Sequence, residues 1–196
     1  MTVMPEPRAT PVFGPSALLT PANGLTFARM ALTPVMMSLI LQRRLDGATF
    51  GLWVGLCSTD GVDGLLARRY GVTSSGAFLD PLADKFLVLG GMGALVAKQV
   101  FAWPLVVIIG VREIGMSVYR VFEGSQGVSI PARRSAKVKT FVQQLSVGFA
   151  VMPWMASHAP RVGRFLLVIA CALTVSTGWQ YFAEARRARS NPGREH

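Results

Sequence analysis

The sequence predicts an all-α integral membrane protein with six transmembrane helices. Three observations lead to this prediction. Apolar residues make up 51 % of the 196 residues and charged residues only 15 %, whereas a soluble domain is usually about 25 % charged. The mean hydropathy is +0.42, which also excludes an intrinsically disordered chain. The chain contains six mostly apolar stretches of about 20 residues, the length that a helix needs to cross a bilayer.

The predicted spans cover residues 24–42, 47–68, 77–98, 101–122, 138–156 and 162–183. Residues 1–22 contain five prolines and lack the apolar run of a signal peptide, so they are predicted to be a cytosolic lead-in. Residues 23–184 are predicted to form one six-helix domain, and residues 185–196 a basic cytosolic tail. One long loop, residues 123–136, is expected between the fourth and fifth spans.

The basic residues predict how the spans are oriented. Lys and Arg number 20 and Asp and Glu number 10, which gives a net charge of +10. If the spans alternate in direction, twelve of the basic residues outside them lie on the side of both termini, and five on the other side. Cytoplasmic loops are enriched in Lys and Arg. We therefore expect a multi-pass protein of the cell membrane, with both termini and a polar cluster facing the cytoplasm.

Four aspartates predict a metal site on that side. Asp60 and Asp63 are three positions apart in the second span, and Asp80 and Asp84 are four positions apart in the third. Either spacing puts both carboxylates of a pair on one helix face. Four like charges near a membrane need neutralisation, and carboxylates favour magnesium, calcium or manganese, often as a pair of ions. The alternative is four surface aspartates, each solvated separately.

Small residues and an arginine surround these acids. Gly64 and Ala67 follow Asp63, and small side chains allow a helix or ligand to approach the backbone closely. Arg68 is four positions after Gly64, on the face of the aspartates, and its paired N–H groups suit a phosphate. The alternative for Arg68 is an arginine that extends to the membrane surface.

These residues resemble the signature of the CDP-alcohol phosphotransferase family. The match is Asp60-x-x-Asp63-Gly64-x-x-Ala67-Arg68, followed by Gly76-x-x-x-Asp80-x-x-x-Asp84. Seven residues separate Arg68 from Gly76, fewer than is usual in the family. The resemblance covers about residues 19–183. It includes the entry to the first helix, Asn23 to Arg29, and two segments similar to the phosphatidylglycerophosphate and cardiolipin synthase branch, 112–114 and 137–140.

The resemblance implies a membrane enzyme that transfers a phosphatidyl group from CDP-diacylglycerol to an alcohol and releases CMP. It implies that Asp60, Asp63, Asp80 and Asp84 hold two divalent ions, Mg or Mn, and that Asp84 is also the catalytic general base. The residues that would bind the nucleotide of CDP-diacylglycerol are Asn23, Thr26, Gly64, Ala67, Arg68 and Ser74. A homodimer is implied by the resemblance alone.

Basic residues on the cytosolic side predict an acceptor that carries its own phosphate, such as glycerol 3-phosphate. The candidates are Arg112, Arg120, Arg133, Lys137 and Lys139. Positive-inside topology and attraction to anionic lipids would also place basic residues here. Arg112 differs because it lies inside an apolar span. Glu113 beside it could orient Arg112 or pair with Lys139.

Several alternatives remain open at this point. The same chemistry could use phosphatidylglycerol, as in cardiolipin synthesis, or inositol phosphate as the acceptor. A small membrane cation transporter would place its acids near the bilayer midplane on several helices, whereas here they lie on one predicted hairpin. The basic tail from Arg186 to Arg194 would permit nucleic-acid binding, but aromatic residues for stacking do not accompany it. We therefore expect no nucleic-acid partner.

Overall fold

The computed structural model describes the backbone of residues 21–70, 74–125 and 134–190, and the side chains of residues 23–59, 79–119 and 138–179. Within this part of the chain, every regular element is an α-helix, as predicted. The helices are α1 (Pro21–Leu41), α2 (Gly47–Tyr70), α3 (Ser74–Ala97), α4 (Trp103–Ser125), α5 (Arg134–Val151), α6 (Pro153–His158) and α7 (Arg161–Ser190).

Each of the six predicted spans corresponds to one long helix, with differences at the ends. Helices α2 and α3 leave only residues 71–73 between them, so the connection after Arg68 is short. Helix α4 continues to Ser125 and α5 begins at Arg134, so the loop expected over 123–136 is shorter than predicted. Helix α7 continues to Ser190, and residues 185–190 of the predicted tail are therefore helical.

The predicted end of the fifth span is wrong. A single helix was expected over 138–156, but α5 stops at Val151 and the short helix α6 begins at Pro153. Met152 between them has an extended conformation, with φ −64° and ψ 122°. Proline has no N–H to continue a preceding helix, while its fixed φ suits the first turn of a new one. The chain therefore changes direction at Pro153.

Two of the described helices are long and apolar enough to cross a membrane by themselves. These segments are Asn23–Leu41 and Arg161–Trp179, with mean hydropathies of 1.5 and 1.6. Their buried shares within the protein are only 28 % and 33 %. Large apolar side chains such as Phe27, Val35 and Phe165 consequently point outward. An outward apolar face is typical of a helix that contacts lipid rather than a protein core. The full six-span arrangement stays a prediction.

The helices pack in an order that differs from their order in the chain. Helix α1 packs mainly against α3 and also against α2, α5 packs mainly against α7, and α4 contacts α7 and α3. Helices α2, α3 and α5 meet at Trp53, which is 2 % exposed. A Cβ at Gly91 of α3 or Gly148 of α5 would lie 3.1 or 3.2 Å from its indole ring. Glycine at both positions therefore allows this close packing.

Apart from Thr49 of α2 and Ser146 of α5, the buried polar residues of the described helices form two groups. One group follows a single face of α1 and consists of Asn23, Thr26, Arg29 and Thr33. The other lies between α4, α5 and α7 and consists of Glu113, Lys139, Gln143, Thr174 and Thr177. Buried polar groups are unfavourable unless they form hydrogen bonds. Each group therefore depends on partners from neighbouring helices.

Candidate active site

The polar face of α1 contacts the helices that carry the aspartates. Thr26 is fully buried, and its Oγ1 donates a 2.5 Å hydrogen bond to Oδ1 of Asp80 on α3. Arg29 is 1 % exposed, and its Nε donates a 3.1 Å hydrogen bond to Oγ1 of Thr59 on α2. Thr59 immediately precedes Asp60. The α1 residues thus link the two helices of the predicted metal site.

Asp80 and Asp84 lie one helical turn apart on α3, and both are half-buried. Oδ1 of Asp84 accepts a 3.0 Å hydrogen bond from Nε2 of Gln144 on α5. These two donors, a threonine hydroxyl and a glutamine amide, are both neutral. These hydrogen bonds orient the carboxylates without cancelling their negative charge.

The other predicted residues of this site are described by their backbone only. Asp60, Asp63, Gly64, Ala67 and Arg68 belong to α2 and Ser74 begins α3, while their side chains lie outside the described part of the structure. Asp63 is seven residues before the end of α2, and Asp80 six residues after the start of α3. At about 1.5 Å per residue, both lie about 10 Å from the short connection between the helices. The two pairs therefore occupy the same end of this helix pair.

A buried ionic network lies between α4, α5 and α7. Glu113 is 7 % exposed and Lys139 is 3 % exposed. Nζ of Lys139 forms a short ion pair with Oε1 of Glu113. Nη1 of Arg112 lies 3.4 Å from the same oxygen, and Nη2 of Arg112 donates a 3.0 Å hydrogen bond to Oγ1 of Thr177. Nε of Arg112 is buried and has no acceptor among the described residues. The network thus combines two cations with one carboxylate.

Glutamine and threonine side chains complete this network. Nε2 of Gln143 donates a 3.1 Å hydrogen bond to Oγ1 of Thr174 and lies 3.5 Å from Oε1 of Glu113. Oγ1 of Thr174 in turn donates to the carbonyl of Ala170 in its own helix. Helices α4, α5 and α7 are therefore cross-linked by polar groups at one level of the bundle.

The structure brings two of the predicted acceptor residues together. Arg112 and Lys139 both contact Glu113, so the two roles considered for Glu113 occur at once. Arg133 lies outside the described residues, and of Arg120 and Lys137 only the helical backbone is described.

The aspartate site and the ionic network are adjacent. Gln143 and Gln144 are consecutive on α5, and the first contacts Glu113 while the second contacts Asp84. Lys85, which follows Asp84 on α3, interacts electrostatically with both Glu113 and Lys139. The aspartates, which could bind a cation, and the basic residues, which could bind an anion, thus lie close to each other beside α5.

Sequence analysis did not single out Thr59, Gln143, Gln144, Thr174 or Thr177. A usable signal was present, because the two consecutive glutamines Gln143 and Gln144 lie in a stretch, residues 140–160, that contains no Asp, Glu, Lys or Arg. An uncharged polar side chain in an apolar helix also needs a partner. The partners themselves depend on which helices are neighbours, and the sequence of one helix does not contain that information.

The carboxylates fit a hard divalent cation. Carboxylate oxygens are the ligands that Mg²⁺ and Mn²⁺ prefer, and Asp80 and Asp84 present two carboxylates one helical turn apart. The neighbouring cations fit an anionic group such as a phosphate. A divalent cation beside a phosphate-binding group is an arrangement suited to phosphoryl transfer.

The sequence model of the CDP-alcohol phosphatidyltransferase family matches residues 19–176. The chain belongs to the CDP-alcohol phosphatidyltransferase family. It is thus an enzyme, a phosphatidyltransferase of phospholipid biosynthesis. The matched region contains both aspartates on α3 and every member of the ionic network except Thr177. This family is generally metal-dependent, in agreement with the donor set on α3.

Three similar proteins are named as a phosphatidylglycerophosphate synthase or as a glycerol-3-phosphate 3-phosphatidyltransferase. The probable phosphatidylglycerophosphate synthase of Mycobacterium tuberculosis (strain H37Rv) is 34 % identical over 194 residues, covering 95 % of this chain and 91 % of that protein. The CDP-diacylglycerol–glycerol-3-phosphate 3-phosphatidyltransferase of Rickettsia typhi is 37 % identical, covering 82 % and 93 %. The protein of the same name from Bacillus subtilis is 33 % identical, covering 83 % and 93 %.

Proposed function

We propose that this phosphatidyltransferase transfers the phosphatidyl group of CDP-diacylglycerol to glycerol 3-phosphate and releases CMP. The observation that carries the proposal is the position of Asp84 beside a buried network with two cations, Arg112 and Lys139. This combination suits an acceptor with both a hydroxyl group to deprotonate and a phosphate to bind. The names of the relatives from Rickettsia typhi and Bacillus subtilis support the same acceptor.

In this proposal Asp60, Asp63, Asp80 and Asp84 hold two divalent ions, Mg or Mn. When bound, such ions neutralise the pyrophosphate of the donor and stabilise the charge that develops on CMP. The hydroxyl of Thr26 holds the Asp80 carboxylate in one orientation. Arg29 braces α1 against α2 next to Asp60 through its contact with Thr59. These contacts support a preformed carboxylate cluster.

Asp84 acts as the general base. It takes the proton from the acceptor hydroxyl, whose oxygen forms a new bond to the β-phosphorus of the donor. The bond between that phosphorus and the bridging oxygen breaks, and CMP leaves with the electron pair. A carboxylate suits this role because its oxygens can accept a proton from a hydroxyl group within hydrogen-bond reach.

The acceptor phosphate is bound by the cations near α5. Arg112 and Lys139 share one carboxylate, so their combined charge exceeds that of Glu113 by one positive charge. Arg120, Arg133 and Lys137 are further candidates for the same phosphate. Nε of Arg112 is a buried donor that a phosphate oxygen would satisfy. An acceptor without a phosphate would leave this positive charge uncompensated.

The protein has an apolar groove in which one acyl tail of the donor lipid can lie. A cavity of about 370 Å³ between α2 and α5 is lined mostly by apolar side chains, including Phe50, Val54, Phe141 and Phe149. Gln144, which contacts Asp84, is part of its wall. An acyl chain in this groove would lead from the bilayer to the carboxylates. The nucleotide would lie nearer α1 and α2, against Asn23, Thr26, Gly64, Ala67, Arg68 and Ser74.

The enzyme is proposed to cross the cell membrane six times as a single domain, residues 23–184, with both termini in the cytoplasm. The excess of basic residues on that side supports the orientation. The catalytic end of α2 and α3 then faces the cytoplasm, where water-soluble glycerol 3-phosphate is accessible. Residues 1–22 and 185–196 form the cytosolic lead-in and tail. A homodimer, implied by family resemblance, is part of the proposal.

An assay of CMP release tests the proposal. Purified protein in detergent receives CDP-diacylglycerol, Mg²⁺ or Mn²⁺, and one acceptor at a time. We expect CMP with glycerol 3-phosphate, none after chelation of the metal, and none from Asp84→Asn, with Ser146→Ala as an active control on α5. Release with phosphatidylglycerol or inositol phosphate instead would assign a different acceptor. No release with any acceptor would contradict the enzyme function.

A further inference from the structure

Gln144 is half-buried on α5, and its amide contacts the carboxylate of Asp84 across 60 positions of sequence at 3.0 Å. We propose that Gln144 is a positioning residue, which holds the Asp84 carboxylate in the orientation that accepts the acceptor's proton. The inference rests on the proposed function, because the proton transfer is part of that reaction.

The choice of donor supports this role. An amide N–H can orient a carboxylate without adding a positive charge. Glu113, in the adjacent ionic network, contacts the cations Arg112 and Lys139 instead. A cationic side chain at position 144 would form an ion pair with the Asp84 carboxylate. It would therefore compete with the divalent ion and the proton for that carboxylate. The neutral partner therefore suits a carboxylate that reacts, and the charged partners suit a carboxylate that holds other side chains.

The backbone of Gln144 is held in place by a contact with α2. Nε1 of Trp53 on α2 donates a 3.3 Å hydrogen bond to the carbonyl oxygen of Gln144. Gly148, one turn further along α5, lets the indole approach so closely that a Cβ there would be 3.2 Å from Nε1. The backbone of Gln144 is thus tied to α2, while its side chain reaches α3. A donor on a fixed backbone is preorganised, and it loses little freedom when it orients its partner.

The preceding residue limits rotation of α5. Successive residues project about 100° apart around a helix, and Gln143 bonds to Thr174 on α7 and reaches Glu113 on α4. A rotation of α5 that moved Gln144 away from Asp84 would also break the contacts of Gln143. The two amides together define one orientation of α5 relative to α3, α4 and α7.

Two variants remove the contact in different ways. Gln144→Met keeps the length and approximate volume of the side chain and removes the N–H donor. Gln144→Asn keeps the amide and shortens the side chain by one methylene, which moves the donor beyond hydrogen-bond distance at about 4 Å. Ser146→Ala is the matched control, because it removes a hydroxyl that bonds to the Gln143 carbonyl within α5.

The measurement is steady-state CMP release with CDP-diacylglycerol and glycerol 3-phosphate, together with thermal unfolding in detergent. We expect both Gln144 variants to lower kcat about tenfold, since a misplaced general base raises the barrier to proton transfer. KM for glycerol 3-phosphate should stay within about twofold, because a positioning contact does not bind the acceptor. Ser146→Ala should leave kcat within about twofold of the unsubstituted protein.

Other results would overturn the inference. An unchanged kcat in both variants, with or without a raised KM for glycerol 3-phosphate, would contradict a positioning role. Either result would leave the proposed function intact. If Gln144→Met fails to fold, Gln144→Asn decides by the same criteria. An unsubstituted protein that releases no CMP would contradict the proposed function, and the inference with it.

Discussion

At the scale of single residues, the three carboxylates described within the long helices have two kinds of partner. Asp80 and Asp84 contact neutral donors, Thr26 and Gln144. Glu113 contacts cations. A neutral donor orients a carboxylate through a hydrogen bond, whereas a cation also compensates its charge. Glu113 holds the side chains of Arg112 and Lys139 in place.

These contacts of Glu113 lead to a prediction about stability. Glu113→Gln removes the anion that compensates Lys139, which is 3 % exposed. Leaving a buried cation without its partner costs about 3–5 kcal/mol, so we expect a clear fall in the melting temperature in detergent. Adding Lys139→Met to the same protein should recover part of the loss, because Arg112 is then the one member of the pair that still lacks the carboxylate. Equal melting temperatures of the single and double variants would contradict this explanation.

At the scale of helices, close packing depends on glycines at particular contacts. Gly163 lies in the first turn of α7 next to Ala150 of α5, and a Cβ there would lie 3.1 Å from both the Cβ and the backbone nitrogen of Ala150. Backbone atoms of a packed helix cannot move aside as a flexible side chain can. The α5–α7 contact, which also carries the Gln143–Thr174 hydrogen bond, therefore requires glycine at this position.

Gly163→Ala should accordingly destabilise the protein. Overpacking of this kind costs about 1–3 kcal/mol, and we expect it to appear as a lower midpoint of thermal unfolding. Gly93→Ala on α3 is the control, since a Cβ there meets no atom within 4 Å. The control should be neutral or slightly stabilising, because alanine favours a helix by about 0.5–1 kcal/mol over glycine. Similar effects of the two substitutions would refute the packing explanation.

The start of α2 depends on a charged cap. Asp46 immediately precedes the helix, and its Oδ1 accepts a 2.8 Å hydrogen bond from the backbone N–H of Thr49. This hydrogen bond lowers the pKa of Asp46 below its ordinary value. The cap therefore contributes stability above the unfolded-state pKa of about 3.9, and the contribution falls as the pH drops through the lower folded-state pKa.

The cap makes a pH-dependent prediction. Asp46→Ala should lower the melting temperature at pH 7, and the difference from the unsubstituted protein should shrink as the pH is brought below about 4. Asp46→Asn is the control, because asparagine can also cap a helix but does not titrate. Its melting temperature should stay closer to that of the unsubstituted protein at pH 7. A difference for Asp46→Ala that is constant with pH would exclude a role for the ionised carboxylate.

At the scale of the whole molecule, the orientation in the membrane can be tested directly. The proposed topology puts the end of α7 in the cytoplasm and the α1–α2 connection, residues 42–46, on the opposite side. Green fluorescent protein fused after Ser190 should fluoresce, and alkaline phosphatase fused after Arg44 should be active. An inactive phosphatase at Arg44 together with a non-fluorescent fusion at Ser190 would reverse the proposed orientation.

Local features of the chain were predictable where they depend on neighbouring residues. Apolar length predicted the helices, and the spacing of Asp80 and Asp84 predicted a shared helix face. The fifth span was predicted to continue past Pro153, with a kink or a helix end at that proline, because proline is tolerated in membrane helices when neighbouring groups satisfy the backbone. The structure has a helix end there. The loop over 123–136 was predicted too long, since helix ends depend on packing as well as on sequence.

Residues close together in the chain were enough to predict helices and the acidic signature of a phosphatidyltransferase, because helix periodicity, apolar length and motif spacing are local properties. Only the tertiary structure decided the partners of those acids, since Thr26 lies 54 positions from Asp80 and Gln144 lies 60 positions from Asp84. Such pairs depend on which helices are neighbours and on the rotation of each helix about its axis. The packing of several helices sets both, through contacts such as those of Trp53 with Gly91 and Gly148.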